Sequence, residues 1–135
     1  MPRHRAILLL LFCAALNAAG FMWGLFEPVP LYDELAHTLT PFVLVAITSE
    51  FIYRSGGNDE FFGSRTRSLL TGTLLGLVGA VAWEIVEVAL NVWVPAADIY
   101  NPLPDTLLDV ALGTAGGAVG AFRTDRYLDR ALGRR

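Results

Sequence analysis

The chain has 135 residues, of which 54% are hydrophobic and only 17% are charged, and its mean hydropathy is +0.50. Because soluble domains carry roughly a quarter charged residues, this composition argues against a soluble enzyme, a disordered chain and a nucleic-acid-binding protein. The net charge of −3 combines thirteen acidic residues with ten basic ones, all of them arginine, and the single cysteine, Cys13, excludes an intramolecular disulfide and a cysteine zinc site.

Four apolar segments approach the length of a membrane span, which needs about 20 apolar residues. They predict an all-α fold, a bundle of four transmembrane helices at residues 6–26, 34–53, 69–94 and 105–122. The segments between them hold most of the prolines and a polar, glycine-rich run at 55–58, which is typical of turns. We therefore expect residues 1–135 to form a single membrane domain.

The two ends of the chain carry arginines beside apolar residues. At the N-terminus this pattern resembles a signal peptide, but the apolar run is longer than the usual ~7–15 residues and no small-x-small cleavage site follows. We therefore expect the first segment to remain as a membrane helix. The basic tail at 123–135 contains an apolar stripe, which predicts an amphipathic helix beside anionic lipid headgroups.

The arginines all fall on one side of this predicted topology. They are Arg3, Arg5, Arg54, Arg65, Arg67, Arg123, Arg126, Arg130, Arg134 and Arg135. The two connecting segments on the other side contain acidic residues and no arginine. The positive-inside rule then predicts that both termini of this multi-pass chain are cytoplasmic.

Acidic side chains lie inside or at the start of three of the predicted helices; within a membrane each costs several kcal/mol and normally faces a cavity or a partner. They form pairs at helical spacing with one histidine included, namely Asp33 with His37, Glu84 with Glu87, and Asp105 with Asp109. In the third and fourth helices the same faces carry glycines, which permit close helix contact. With a rise of ~1.5 Å per residue, all six residues fall in the outer half of the membrane, so we expect one polar cluster inside the bundle.

Each of these residues also has a purely structural interpretation. Asp33 and Asp105 follow prolines and could cap helix N-termini, and His37 could be a hydrogen-bonded core histidine. The two glutamates of the third helix could be a protonated pair, and the whole cluster could be a polar network that only fixes helix packing. Glu50 is separate, because it lies on the opposite face of its helix with Arg54 four residues later, which predicts a surface ion pair.

The cluster has a definite chemical requirement. Up to five carboxylates beside one imidazole cannot all be ionised at low dielectric, so protons or cations must neutralise them. Oxygen ligands with one nitrogen suit Mn²⁺, Fe²⁺, Mg²⁺, Ca²⁺ or Zn²⁺. Di-metal helical bundles also use two ligands on one helix, although their usual Glu-x-x-His pairs are absent here. We therefore expect all six residues to be ligands of a divalent metal ion, whose identity the sequence leaves open.

Three motifs occur in a fixed order along the chain. They are Asp33…His37, Trp83-Glu84-x-x-Glu87 and Asp105-Thr106-x-x-Asp109. Over about residues 31–121 they resemble the YjdF-like small inner-membrane family and, more distantly, VanZ-like membrane proteins. Glu34 stands where VanZ-like proteins favour a basic residue, and Leu107 where the YjdF-like pattern favours glutamine. The resemblance implies a multi-pass protein of a bacterial-type cytoplasmic (inner) membrane and no defined reaction.

Together these patterns predict a membrane protein with an acidic, divalent-cation-binding pocket open to the outer side. One alternative is a metal-dependent enzyme acting on a lipid-linked or envelope substrate, with His37 or Glu84 as the acid or base. Others are a small proton or cation carrier and a structural assembly subunit. The inner half offers only Glu50, on another face, which favours a one-sided pocket over a path across the membrane. Expected partners are membrane lipids and, through the glycine faces, further copies of the chain, but not nucleic acid.

Overall fold

The computed structural model describes residues 3–26, 28–94, 99 and 102–133, and within those ranges it contains helices and no strands. The elements are α1 (Arg3–Trp23), α2 (Tyr32–Ile52), a kinked turn (Tyr53–Gly57), α3 (Asn58–Phe61), α4 (Arg65–Trp93) and α5 (Leu103–Ala131). The predicted all-α fold is therefore confirmed for this part of the chain. Arg134 and Arg135 of the predicted tail lie outside the described residues.

Three helical segments are long and apolar enough to cross a membrane, namely Arg3–Trp23, Tyr32–Phe61 and Arg65–Trp93. Their large apolar side chains point away from the protein interior, as Leu8, Phe12, Leu74 and Ile85 show. Extended exposed apolar surface of this kind marks contact with a membrane or another protein. The chain is thus a helical membrane protein with three candidate spans.

The helix α5 differs from the other long helices in composition. It is not among the three candidate membrane spans, because glycines and charged residues interrupt its apolar positions. It packs against both α2 and α4, so protein rather than lipid covers much of its surface and less apolar surface is required. It continues past the predicted end of the span at residue 122 to Ala131, which confirms the predicted helical character of the tail up to that residue.

Glycines allow α5 to approach its two neighbours closely. A Cβ atom added at Gly116 would lie 2.3 Å from the carbonyl oxygen of Thr38, and one at Gly120 would lie 2.4 Å from that of Phe42. On the α4 side, a Cβ at Gly117 would lie 2.6 Å from the Cα of Gly76. The glycine faces are therefore packing surfaces inside the chain, as helix contacts in membranes require. Homo-oligomerisation through glycine faces stays a prediction.

The two ends of the bundle differ in character. At the end where α2 stops and α4 starts, an apolar core forms from Val45, Tyr53, Phe62, Ala121 and Leu128. The chain turns there through Gly56, whose φ of 99° suits glycine. Nearby, the Arg54 Nε donates to Glu50 Oε1 at 2.8 Å, which confirms the predicted surface pair. The candidate site lies at the opposite end, where α2 and α5 begin and α4 ends.

Candidate metal centre

Three helices bring the predicted ligands together. Asp33 and His37 lie in the first two turns of α2, and Asp109 lies in the second turn of α5. Glu84 and Glu87 lie in the last three turns of α4, which runs in the opposite direction, so the two glutamates reach the same level. The side chains of His37, Glu84, Glu87 and Asp109 are buried. This confirms that the polar faces point into the bundle.

The imidazole of His37 is at the centre of the group. Its Nε2 lies 3.4 Å from Asp33 Oδ1 and 3.9 Å from Glu87 Oε1. Its Nδ1 lies 3.8 Å from Asp109 Oδ1 and 3.9 Å from Glu84 Oε1. Each ring nitrogen therefore faces two carboxylates, and the carboxylates come from three different helices.

Several carboxylate oxygens in this group have no hydrogen-bond partner. Both oxygens of Glu84 and the Oδ1 of Asp109 are buried and make no hydrogen bond. Glu87 is different, because the Trp83 Nε1 donates to its Oε1 at 2.8 Å. A buried charge without hydrogen bonds or a counter-charge is costly, so the group as it stands requires protons or a cation.

Two overlapping sets of three residues could each hold a metal ion. They are Asp33, His37 and Asp109, and His37, Glu84 and Glu87. Within each set, one ligand atom from every residue lies within 4.8 Å of the others. Carboxylate oxygens with one imidazole nitrogen suit hard or borderline divalent cations. Each set also supplies two formal negative charges, which one divalent cation would balance.

Asp105 belongs to neither set of three. It lies one turn before Asp109 and lines a polar cavity of about 400 Å³, together with Asp33, Glu34 and Glu87. Its carboxylate is only partly buried. The structure thus places Asp105 on the wall of the cavity beside the two sets.

The alternative interpretation of Asp33 and Asp105 as N-caps is wrong. The N-cap residues are Leu31 for α2 and Pro102 for α5, and neither helix has a side-chain cap bond. Both aspartates lie inside the first turn instead, where a carboxylate interacts favourably with the helix dipole. Each helix begins two residues before its predicted start, at Tyr32 instead of residue 34 and at Leu103 instead of residue 105.

Asn91, which follows the two glutamates on α4, has a positioning role. Its Nδ2 donates to the carbonyl oxygen of Ile99 and its Oδ1 accepts from the Ile99 N–H, both at 2.9 Å. The side chain therefore fixes Ile99, which lines the polar cavity. The sequence places Asn91 four residues after Glu87 on the same helix, but its Ile99 partner could not be read from the sequence.

A second buried acidic pair lies at the opposite end of α5, and the sequence analysis missed it. The Ser68 hydroxyl donates to Asp125 Oδ2 at 2.5 Å, and the Tyr53 hydroxyl donates to Asp129 Oδ1 at 2.8 Å. The inner half therefore holds more than Glu50. The sequence does contain a signal for this pair, because steps of four residues extend the helix face of Asp109 to Asp125 and Asp129. The arginines that alternate with these aspartates instead suggested a solvated tail.

The two acidic groups lie far apart along α5. Asp109 and Asp125 are separated by sixteen residues of α5, which is about 24 Å. Between them lie Gly113 and Gly117, whose backbones contact α4 so closely that an added Cβ would be 2.7 Å or less from Ala80 Cβ and Gly76 Cα. Along the contact between α4 and α5, a close-packed layer therefore lies between the candidate metal centre and the second pair.

Comparison with known proteins identifies the family of the chain. Residues 1–130 match the family model described as a predicted membrane protein, DUF2238, which is the YjdF-like family. No curated protein and no solved structure matches the chain. The more distant VanZ-like resemblance stays a prediction. Since the match covers nearly the whole chain, this helical protein with a buried acidic cluster belongs to the DUF2238 family of predicted membrane proteins.

Proposed function

We propose that this protein binds a divalent cation in a pocket that opens to the outer side of a bacterial-type inner membrane. The ligands are drawn from Asp33, His37, Glu84, Glu87 and Asp109, with Asp105 on the cavity wall. In this proposal α5 is the fourth span and both termini are cytoplasmic. The positions of the described arginines support that orientation, because they lie toward the end of the bundle opposite the acidic cluster.

The observation that carries the proposal is the state of the Glu84 side chain. It is 7% exposed, and neither of its oxygens makes a hydrogen bond. A carboxylate used only for packing would be expected to accept hydrogen bonds from its surroundings. Glu84 instead faces His37 and other carboxylates, so a cation held by the group would neutralise the charge and use the open oxygens.

Equilibrium dialysis of the detergent-purified chain against Mn²⁺ tests the proposal. We expect saturable binding that Glu84→Gln with Asp109→Asn weakens by roughly tenfold or more, because a lost ligand contact of ~1.4 kcal/mol is one factor of ten. The matched control is Glu50→Gln, which removes a carboxylate from the surface pair and should leave binding unchanged. A folded protein that binds no Mn²⁺, or a double variant that binds it equally well, contradicts the proposal.

A metal-dependent enzyme is the second candidate, and the polar cavity favours it. The cavity of about 400 Å³ adjoins the ligand sets and leaves room for a substrate group beside a bound ion. Such an ion would polarise a phosphoryl or acyl oxygen, and His37 or Glu84 would act as acid or base. The test is chromatography of a total membrane-lipid extract incubated with Mn²⁺ and the protein. A new product that His37→Gln does not form supports an enzyme, and an unchanged extract opposes it.

A carrier is less well supported by the packing. The second acidic pair, Asp125 and Asp129, places carboxylates near the other end of α5, but α4 and α5 are close-packed at glycines between the two groups. A carrier would give Mn²⁺ uptake into proteoliposomes that Asp125→Asn abolishes. We expect no uptake above protein-free vesicles.

A further inference from the structure

A second cavity, apolar in character, adjoins the candidate metal centre. It has a volume of about 280 Å³ and lies between α1, α2 and α4, with Leu44, Leu75, Val78 and Trp83 among its lining residues. Along α2 it extends from Ala36 to Thr48, which is about 18 Å of helix. One leaflet of a bilayer has a hydrocarbon thickness of roughly 15 Å. The cavity therefore has the length of a single lipid chain.

Gly79 leaves unfilled space in the wall of this apolar cavity. A Cβ atom added there would meet nothing within 4 Å, whereas the glycines that pack against α5 have no such room. Gly79 thus contributes space to the cavity and does not contribute to close helix contact. An apolar cavity of this kind excludes water, and inside a membrane the available occupant is hydrocarbon.

The polar cavity has the opposite chemistry. Its acidic lining consists of Asp33, Glu34, Glu87, Asp105 and Asp109, and in the described part of the chain no arginine lines it. One divalent cation balances two carboxylates, so the others need a proton or a further cationic group. The complementary ligand group is cationic, and a primary ammonium offers three N–H donors for charge-assisted bonds to carboxylates.

The two cavities meet at His37, which lines both. Trp83 and Phe21 stand at the junction, with ring centroids 6.0 Å apart, and Trp83 also donates to Glu87. A ligand that fills both cavities must have an aliphatic chain and a cationic head. We infer that the cavities together bind a membrane lipid with a primary ammonium headgroup, its chain along Gly79 and its ammonium among Glu34, Asp105 and their neighbours. This goes beyond cation binding and does not depend on it.

Quenching of Trp83 fluorescence by bromine-labelled lipid chains tests this inference. The full chain with Trp23→Phe and Trp93→Phe keeps Trp83 as the sole tryptophan, and both replaced side chains are highly exposed, at 71% and 80%. It is reconstituted without divalent cation into phosphatidylglycerol vesicles that contain a minor fraction of brominated phosphatidylethanolamine or brominated phosphatidylcholine. We expect the ethanolamine lipid to quench at roughly threefold lower mole fraction, the preference that a partly exposed ammonium–carboxylate contact provides.

Two variants separate the chain from the head. Gly79→Leu fills the apolar cavity and should reduce quenching by the ethanolamine lipid to the level of the choline lipid. Ala82→Leu is the matched control, because it adds the same side chain at an exposed α4 position that lines neither cavity. Glu34→Gln with Asp105→Asn should remove the preference for ethanolamine.

The inference is overturned if the ethanolamine and choline lipids quench Trp83 equally in the protein that retains Gly79. This holds whether or not Gly79→Leu reduces the quenching. The inference is also overturned if Gly79→Leu does not change the quenching by the ethanolamine lipid. Neither result bears on the proposed cation site, because Mn²⁺ binding is measured separately on the same variants. Gly79→Leu should leave that binding unchanged.

Discussion

Glu84 is the side chain of the candidate site whose ionised form is most costly to bury. Both of its oxygens are buried without a hydrogen bond, so its ionised form is destabilised unless a cation or proton compensates. Glu84→Gln keeps the shape and removes the charge. In cation-free protein we expect the thermal unfolding temperature to stay the same or rise, whereas the stabilisation by added Mn²⁺ is reduced, since ligand binding to the folded state supplies that stabilisation.

Differential scanning fluorimetry with and without Mn²⁺ checks this prediction. Glu50→Gln is the control, because its exposed partner Arg54 makes the pair worth at most about 1 kcal/mol and no cation effect is expected. A Glu84→Gln protein that unfolds at a clearly lower temperature without cation would show that Glu84 is a structural network residue instead.

The pair of Tyr53 and Asp129 makes a different prediction, because its hydrogen bond is already formed. Tyr53→Phe removes a buried hydroxyl that donates at 2.8 Å to Asp129. We expect a loss of about 1 kcal/mol in the free energy of unfolding and no change in Mn²⁺ affinity, because a close-packed glycine layer separates the two groups. Denaturant unfolding and dialysis measure the two quantities. A change in Mn²⁺ affinity would show that the two ends of α5 are coupled.

At the level of the helices, the glycines of α5 determine how closely α2 and α4 approach. Gly116→Ala would place a Cβ atom 2.3 Å from the Thr38 carbonyl oxygen, so the helices must separate. Overpacking of this kind costs roughly 1–3 kcal/mol. Gly79→Ala is the matched control, because its Cβ meets open space and alanine favours the helix by up to about 1 kcal/mol. In detergent, Gly116→Ala should lower the free energy of unfolding and Gly79→Ala should raise it. Equal effects of the two substitutions would contradict the packing described.

The helices also show how much the sequence could predict. Hydropathy located α1, α2 and α4, and the coincidence of acidic and glycine faces correctly predicted that His37, Glu84 and Asp109 point inward. Hydropathy could not give the ends of α5. Its inner third alternates arginines with aspartates, and only packing against Tyr53 and Ser68 shows that Asp125 and Asp129 are buried. Nor could it give the apolar cavity, which depends on where α1 lies against α2 and α4.

For the whole molecule, the sidedness of charge predicts the topology. The candidate metal centre lies at one end, and the described arginines lie toward the other, which the positive-inside rule assigns to the cytoplasm. A membrane-impermeant maleimide tests this in intact cells that express single-cysteine variants of a Cys13→Ala chain. We expect Val29→Cys, beside the site, to be labelled, and Ser55→Cys, after α2, to be labelled only after lysis. Labelling of Ser55→Cys in intact cells would reverse the topology.

The central claim is that His37 and the surrounding carboxylates hold a divalent cation. Pulsed electron paramagnetic resonance of the Mn²⁺-loaded protein tests it most directly, because a bound imidazole gives a nitrogen modulation. We predict the coupling of a single imidazole nitrogen in the wild-type chain and its loss in His37→Gln, with the cation retained more weakly by the remaining carboxylates. Saturable Mn²⁺ binding without nitrogen coupling, or a coupling that persists in His37→Gln, would contradict the account.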